Sequence, residues 1–150
     1  MDYEVTLNQA LDLLADSENR KAERILQSCI DAIKKELTGT DADLNRFYYW
    51  GRCLTAMEEV EQALLKFEKA LRIDPDHEGS LWETASIFMH DMDRPENAKT
   101  ILEDRLLKVA PDNPLYQETL RAAEFALKLR KSPPPLSKEE AEELEEEPPV

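Results

Sequence analysis

The stretch LNRFYYWGRCLTAMEEVEQALLKFEKALRIDP, Leu44 to Pro75, holds two helix-period patterns one after the other. Phe47, Trp50, Gly51 and Leu54 fall on one face of a first helix, and Ala63, Phe67, Ala70 and Leu71 on one face of a second, which Pro75 ends. Two amphipathic helices this short cannot hide their apolar faces in each other, so the unit implies further units on either side.

The neighbouring sequence supplies them. Leu81, Ala85 and Phe88 each lie 34 residues after Phe47, Gly51 and Leu54. The following turn, HDMDRPEN, is one residue longer, which puts Ala98 and Leu102 35 residues after Ala63 and Phe67. Thr84 stands where a large residue is expected. Upstream, Ala22, Leu26 and Cys29 repeat the second-helix pattern, preceded by a helix over residues 3 to 15 with Leu7, Ala10, Leu11 and Leu14 on one face. Ala22 to Ala63 is 41 residues, seven beyond the period. Either an elongated second helix or a longer loop through TGTDAD accounts for the excess.

The slots Phe47, Trp50, Gly51, Leu54, Ala63, Phe67, Ala70 and Pro75 resemble those of the tetratricopeptide repeat, a helix–turn–helix unit of about 34 residues. In that pattern small residues let helix backbones approach and large ones fill the gaps between them. The resemblance implies an all-α fold: a right-handed α-α superhelix of three tetratricopeptide-like helix pairs plus a C-terminal capping helix, over residues 1–131. The capping helix begins at Asn113 and Pro114. Its buried stripe is expected at Tyr116, Leu120, Ala123 and Leu127, with Arg121, Lys128, Arg130 and Lys131 in water. Asp16 or Ser17 is expected to cap the second helix, and Asp93, with Pro95 and Glu96, the sixth.

Residues 132–150 differ in composition. SPPPL separates a segment rich in glutamate; the whole holds seven glutamates and one lysine, a charge of −6. It reads as a mostly disordered tail, either a solubilising arm or a cover for the groove through Arg52.

Composition narrows the function. Three glycines and 41% apolar residues suit helices, and 19 basic against 33 acidic side chains give −14. So acidic a chain repels nucleic acid and anionic membranes. It has no run of 18 apolar residues for a membrane span, and the first residues, MDYEVTLNQ, lack the basic start of a secretory signal. Cys29 and Cys53, both on apolar faces, read as buried reduced thiols, which fits a cytoplasmic protein. No glycine-rich phosphate loop, zinc spacing or cofactor motif is present. The segment MHDMD, Met89 to Asp93, reads as a turn rather than a metal site, and Cys53 has no histidine beside it in sequence. The reading is non-enzymatic, with no cofactor and no metal.

In tetratricopeptide arrays the first helix of each pair lines a concave groove that holds a partner peptide. The matching slots here are Asn45, Tyr48, Tyr49, Arg52 and Thr55, then Trp82, Glu83, Ser86, Met89 and His90, with Leu7, Leu11 and Leu14 beginning the surface. Tyr48, Tyr49 and Trp50 cannot share one face, since neighbouring side chains are 100° apart on a helix. Family members that clamp chaperone C-termini do so with groove lysines; Gly79 and Glu83 in the third pair offer none, so an apolar or aromatic segment is the expected ligand. Two other expectations stand beside this one. The length and acidity resemble small repeat chaperones of bacterial secretion systems, and apolar surface around Val5 and Leu13 offers a route to a homo-oligomer.

Overall fold

Three residues with positive φ set the turns of the chain: Ser17 (62°), Glu58 (62°) and Asp93 (51°). Each ends the first helix of a hairpin. The N–H of Ser17 donates to Leu14 O and that of Glu18 to Leu13 O; Glu58 and Glu59 repeat these bonds to Thr55 and Leu54. This is one helix-terminating turn used twice, with the last carbonyls satisfied in the same order.

The computed structural model describes residues 1–131 together with 138 and 139. Helix α1 is Tyr3–Ala15, α2 Asn19–Glu36, α3 Leu44–Ala56 and α4 Val60–Ile73. Helix α5 is Glu78–Ser86, continued by a π-helical segment Ile87–Asp91. Helix α6 is Pro95–Ile101, a second π-helical segment Leu102–Leu106, and a last turn Leu107–Val109. Helix α7 is Pro114–Lys131. The seven helices pack together and no strand occurs among the described residues. Helices α1 and α2, α3 and α4, and α5 and α6 form hairpins; α2 packs on α3, α4 on α5, and α7 on α6. The expected tail, 132–150, lies outside the described residues except for 138 and 139.

The long spacing between the first two pairs has two sources. Helix α2 has 18 residues and α4 has 14, so the helix takes four of the seven extra residues. The other three enlarge the loop before α3, which Asp43 holds together. Its carboxylate accepts the N–H groups of Thr38 (2.9 Å) and Gly39 (2.8 Å), the Thr38 hydroxyl (3.1 Å) and Arg46 Nη1 (3.0 Å). The bond from the Thr38 N–H, with help from the other donors and against burial, holds the Asp43 carboxyl below its usual range. Gly39 at φ 73° makes the turn that brings these donors round.

The core is continuous from α1 to α5 through Leu7, Leu26, Ile33, Cys53, Phe67 and Ile87, and a second cluster joins α5, α6 and α7 through Leu81, Leu102, Leu106 and Tyr116. Gly51 is required by packing. A Cβ there would lie 2.5 Å from Phe67 Cε1. Cys29 and Cys53 are both fully buried free thiols, and hydrogen bonding to Cys29, reinforced by burial, pushes the Cys53 thiol up. The Tyr116 hydroxyl donates to Glu78 Oε1 at 2.6 Å, which fastens α7 to α5.

Two of the helix caps expected from the sequence do not form. Ser17 is the left-handed residue after α1, and Glu18, with no side-chain bond, precedes α2. Asp93 is likewise the left-handed residue, and Arg94 precedes α6 without capping it. Asp93 and Glu96 instead receive Arg130 of α7, at 2.6 Å and 3.4 Å, so that arginine docks the last helix on the α5–α6 turn. Asn113 does cap α7, accepting from the N–H groups of Leu115 and Tyr116. The outer side of α7 is more apolar than its basic residues imply, with Phe125 62% and Leu129 59% exposed.

Candidate functional site

The groove residues named from sequence are distributed between packing and solvent. Tyr48 is half-buried, with its ring 6.1 Å from that of Phe67, 5.1 Å from that of His77 and against Gly79. Burial raises its hydroxyl pKa. Tyr49 is edge-on to Tyr48 at 5.1 Å and meets Tyr3 of α1 at 6.0 Å. Its hydroxyl pKa is also raised, chiefly by burial. Arg52 reaches across from α3 to α5, where its Nε lies 3.7 Å from Glu83 Oε1. Burial pushes the Glu83 carboxyl up, and Arg52 opposes that shift. The guanidinium also lies 5.8 Å from the Tyr48 ring centroid. Thr55 turns inward to its own helix and donates to the Gly51 carbonyl at 3.0 Å.

In the third pair, Trp82 leans on Tyr116 at 5.4 Å, Ser86 and Met89 are half-buried, and His90 is exposed. Asn45 is exposed beside Tyr49 and the N-terminal residues, where a cleft of about 350 Å³ opens. Leu7 leaves the expected surface altogether, since it is buried in the core, while Leu11 is exposed and Leu14 half-buried. The structure thus brings Tyr48, Arg52 and Glu83 together as a link between two hairpins. The other histidine, His77, is committed to capping α5, its Nδ1 accepting the Ser80 N–H at 3.2 Å. Among the described residues, no three His, Cys, Asp or Glu side chains are grouped to hold a metal ion.

A different surface has the character the groove was expected to have. Between α4 and α5 lies a cleft of about 400 Å³ lined by Leu64, Leu65, Leu71, Thr84, Phe88 and Met92, with the exposed Glu61 and Glu68 beside them. Leu65 is 57% exposed. The sequence carried a signal for it. Leu64 and Leu71 each follow a buried alanine, Ala63 and Ala70, so α4 has a second apolar stripe turned 100° from the core seam. The π-helical segment contributes as well. Phe88 lies within it and Met92 directly after it, where the widened turn alters the angle at which the following residue leaves the helix.

No protein-family model matches the chain, and no curated protein matches it in sequence. Fold and site together define, among the described residues, seven packed helices with an apolar cleft bordered by acids. Among the described residues, no helix is long and apolar enough to cross a membrane.

Proposed function

We propose that this chain is a non-enzymatic interaction module, built as a tetratricopeptide-like right-handed superhelix of three helix pairs and a closing helix. Its α4–α5 cleft holds an apolar segment of another protein. The observation that carries the reading is the cleft itself, because three leucines, a phenylalanine and a methionine line accessible space of side-chain dimensions. The repeated left-handed turns at Ser17 and Glu58, and the fit of Gly51 against Phe67, support the repeat architecture. The groups with perturbed protonation also support a structural assignment. Asp43 clasps a loop, Tyr116 fastens a helix and Cys53 is buried against Cys29.

Glu61, on a chain of charge −14, selects a segment whose apolar residues are flanked by lysine or arginine, while Glu68 beside it is already paired with Arg72 at 2.8 Å. Two helical peptides with the same leucine face, one flanked by lysines and one by glutamates, test this by calorimetric titration. The lysine-flanked peptide is expected to bind about tenfold tighter, a difference of about 1.4 kcal/mol, and Leu65→Glu to abolish binding of both. Equal binding of the two peptides, or binding unchanged by Leu65→Glu, overturns the assignment.

Self-association is the second reading. Val5 is exposed at one end of the helix array, and Leu115, Phe125 and Leu129 at the other. Light scattering decides it: a constant monomer mass across a hundredfold range of concentration rejects it.

A further inference from the structure

Although the chain is strongly acidic, one face is framed by lysines. Lys66 Nζ lies 3.8 Å from the Trp50 ring centroid and Lys34 Nζ 5.6 Å from it; Lys69 Nζ lies 5.5 Å from the Phe47 ring centroid. Phe47 and Trp50 are themselves stacked at 6.4 Å. Three cations from α2 and α4 therefore converge on two aromatic rings of α3. Among the described residues none of the three forms an ion pair, whereas Lys21, Arg46, Arg52, Arg72, Lys99, Arg105 and Arg130 do. The helix positions three and four away from Lys66 and Lys69 carry no acid: they are Gln62, Ala63, Ala70, Leu65, Arg72 and Ile73, besides the two lysines themselves. Burial, together with Lys69 and Lys34, lowers the pKa of Lys66, as expected where like charges are left uncompensated.

We propose that the glutamate-rich segment Glu140–Glu147 of this same chain, EAEELEEE, docks on the face formed by Lys34, Lys66 and Lys69 over Phe47 and Trp50. Six glutamates meet three lysines, and Leu144 among them supplies an apolar group for the ring pair. The reach is adequate. Helix α7 ends at Lys131, and the nine to sixteen residues from there to the segment span up to roughly 30 to 55 Å. Helices α7, α6, α5 and α4 pack in succession, three steps of about 10 Å each. Arg52, the earlier candidate for holding the tail, is already paired with Glu83. The basic residues nearer the tail, Lys99, Arg121 and Lys128, share their cleft with Glu124, and Lys99 pairs with Glu103.

Carbodiimide cross-linking of the full chain at low concentration and low salt tests the contact, since that reagent joins a lysine to a carboxylate only where they touch. Cross-linked peptides are expected between Lys34, Lys66 or Lys69 and residues 140–147 within one monomer. Their yield is expected to fall at least about fivefold in 0.5 M salt. Replacing the segment's glutamates by glutamine should also shift the indole N–H resonance of Trp50 and leave that of Trp82 in place. Tail links that map to Lys99 or Lys128, links found only in cross-linked dimers, or a Trp50 resonance unmoved by charge removal and by salt each overturn the proposal.

Discussion

Replacing Gly51 by alanine is expected to destabilise the protein even though alanine is the better helix former. In an exposed helix interior the change gains about 1 kcal/mol. At this position the new methyl would stand 2.5 Å from Phe67 Cε1 and 2.8 Å from Cδ1 and Cζ, where apolar carbons normally keep 3.5–4.0 Å. Phe67 cannot give way easily. It is fully buried among Leu54, Ala63 and Cys53, and Tyr48 closes its other side at 6.1 Å between centroids. Overpacking of a well-filled core costs about 1–3 kcal/mol, so the net loss is about 1 to 2 kcal/mol after the propensity gain.

Urea unfolding followed by far-ultraviolet circular dichroism measures this, with an unchanged m-value confirming that the folded and unfolded states are comparable. A second variant isolates the cause. Phe67→Leu alone costs roughly 1–2 kcal/mol, but in the Gly51→Ala background it vacates the space the methyl needs. The double variant should therefore be more stable than the sum of the single losses by at least about 0.5 kcal/mol. Gly79→Ala is the control. Its Cβ would meet the outer atoms of the half-buried Tyr48 ring at 2.9–3.1 Å, a milder clash than the 2.5 Å at Gly51, so a smaller loss of stability is expected. A Gly51→Ala protein as stable as the parent, or strict additivity with Phe67→Leu, refutes the claim that helix contact at Gly51 fixes this hairpin.

Asp43 has a folded pKa below its unfolded value, so its contribution is fully present above the usual aspartate pKa and is lost as pH falls through the folded value; Asp43→Asn should flatten the acid limb of a stability–pH curve. Glu83 is shifted the other way, so its ionised form weighs on stability as pH rises; Arg52→Leu should cost more at pH 7 than at pH 4.5, by roughly 1 kcal/mol, and equal costs at both pH values contradict the pairing. Cys29 and Cys53 should react slowly with a thiol reagent in the native protein and rapidly, both together, in urea. Deleting His90, an exposed residue of the first π-helical segment, should restore a regular α-helix there, keep the far-ultraviolet spectrum, and abolish peptide binding at the α4–α5 cleft; retained binding would detach the cleft from the π turn.

The α3–α4 hairpin was legible because its helix period, its small residues and its terminating proline all point the same way. Ala63, Phe67 and Ala70 are all fully buried, as their spacing predicts. The turns were not legible. Left-handed residues are usually glycine or asparagine, and Ser17 and Glu58 carry no such preference, so in sequence the small polar residues at these turns resemble helix caps. For the groove candidates, residue type alone could not show which contacts would occupy them. Tyr48 and Arg52 are residues that interfaces favour, but the contacts that occupy them lie 29 to 31 residues away, at His77 and Glu83. No local pattern announces a pairing between separate helices.

Where the spacing drifts from 34 residues, the backbone shows how the drift is absorbed. The register is 34 from Gly51 to Ala85, becomes 35 from Glu58 to Asp93 and from Phe67 to Leu102, and becomes 36 from Ala70 to Leu106. Each added residue falls at a π-helical segment, first Ile87–Asp91 and then Leu102–Leu106. A wider turn takes in one residue without breaking the helix, so the side chains beyond it return to the buried face. Leu106 shows the result: it is four residues after Leu102 where Ala70 is three after Phe67, yet both are fully buried. Core packing thus tolerates an insertion that the hydrophobic period alone would reject. The first of these segments also supplies Phe88, and the residue that follows it is Met92; both line the cleft. Accommodation of the extra residue and formation of the apolar cleft are the same local change in helix geometry.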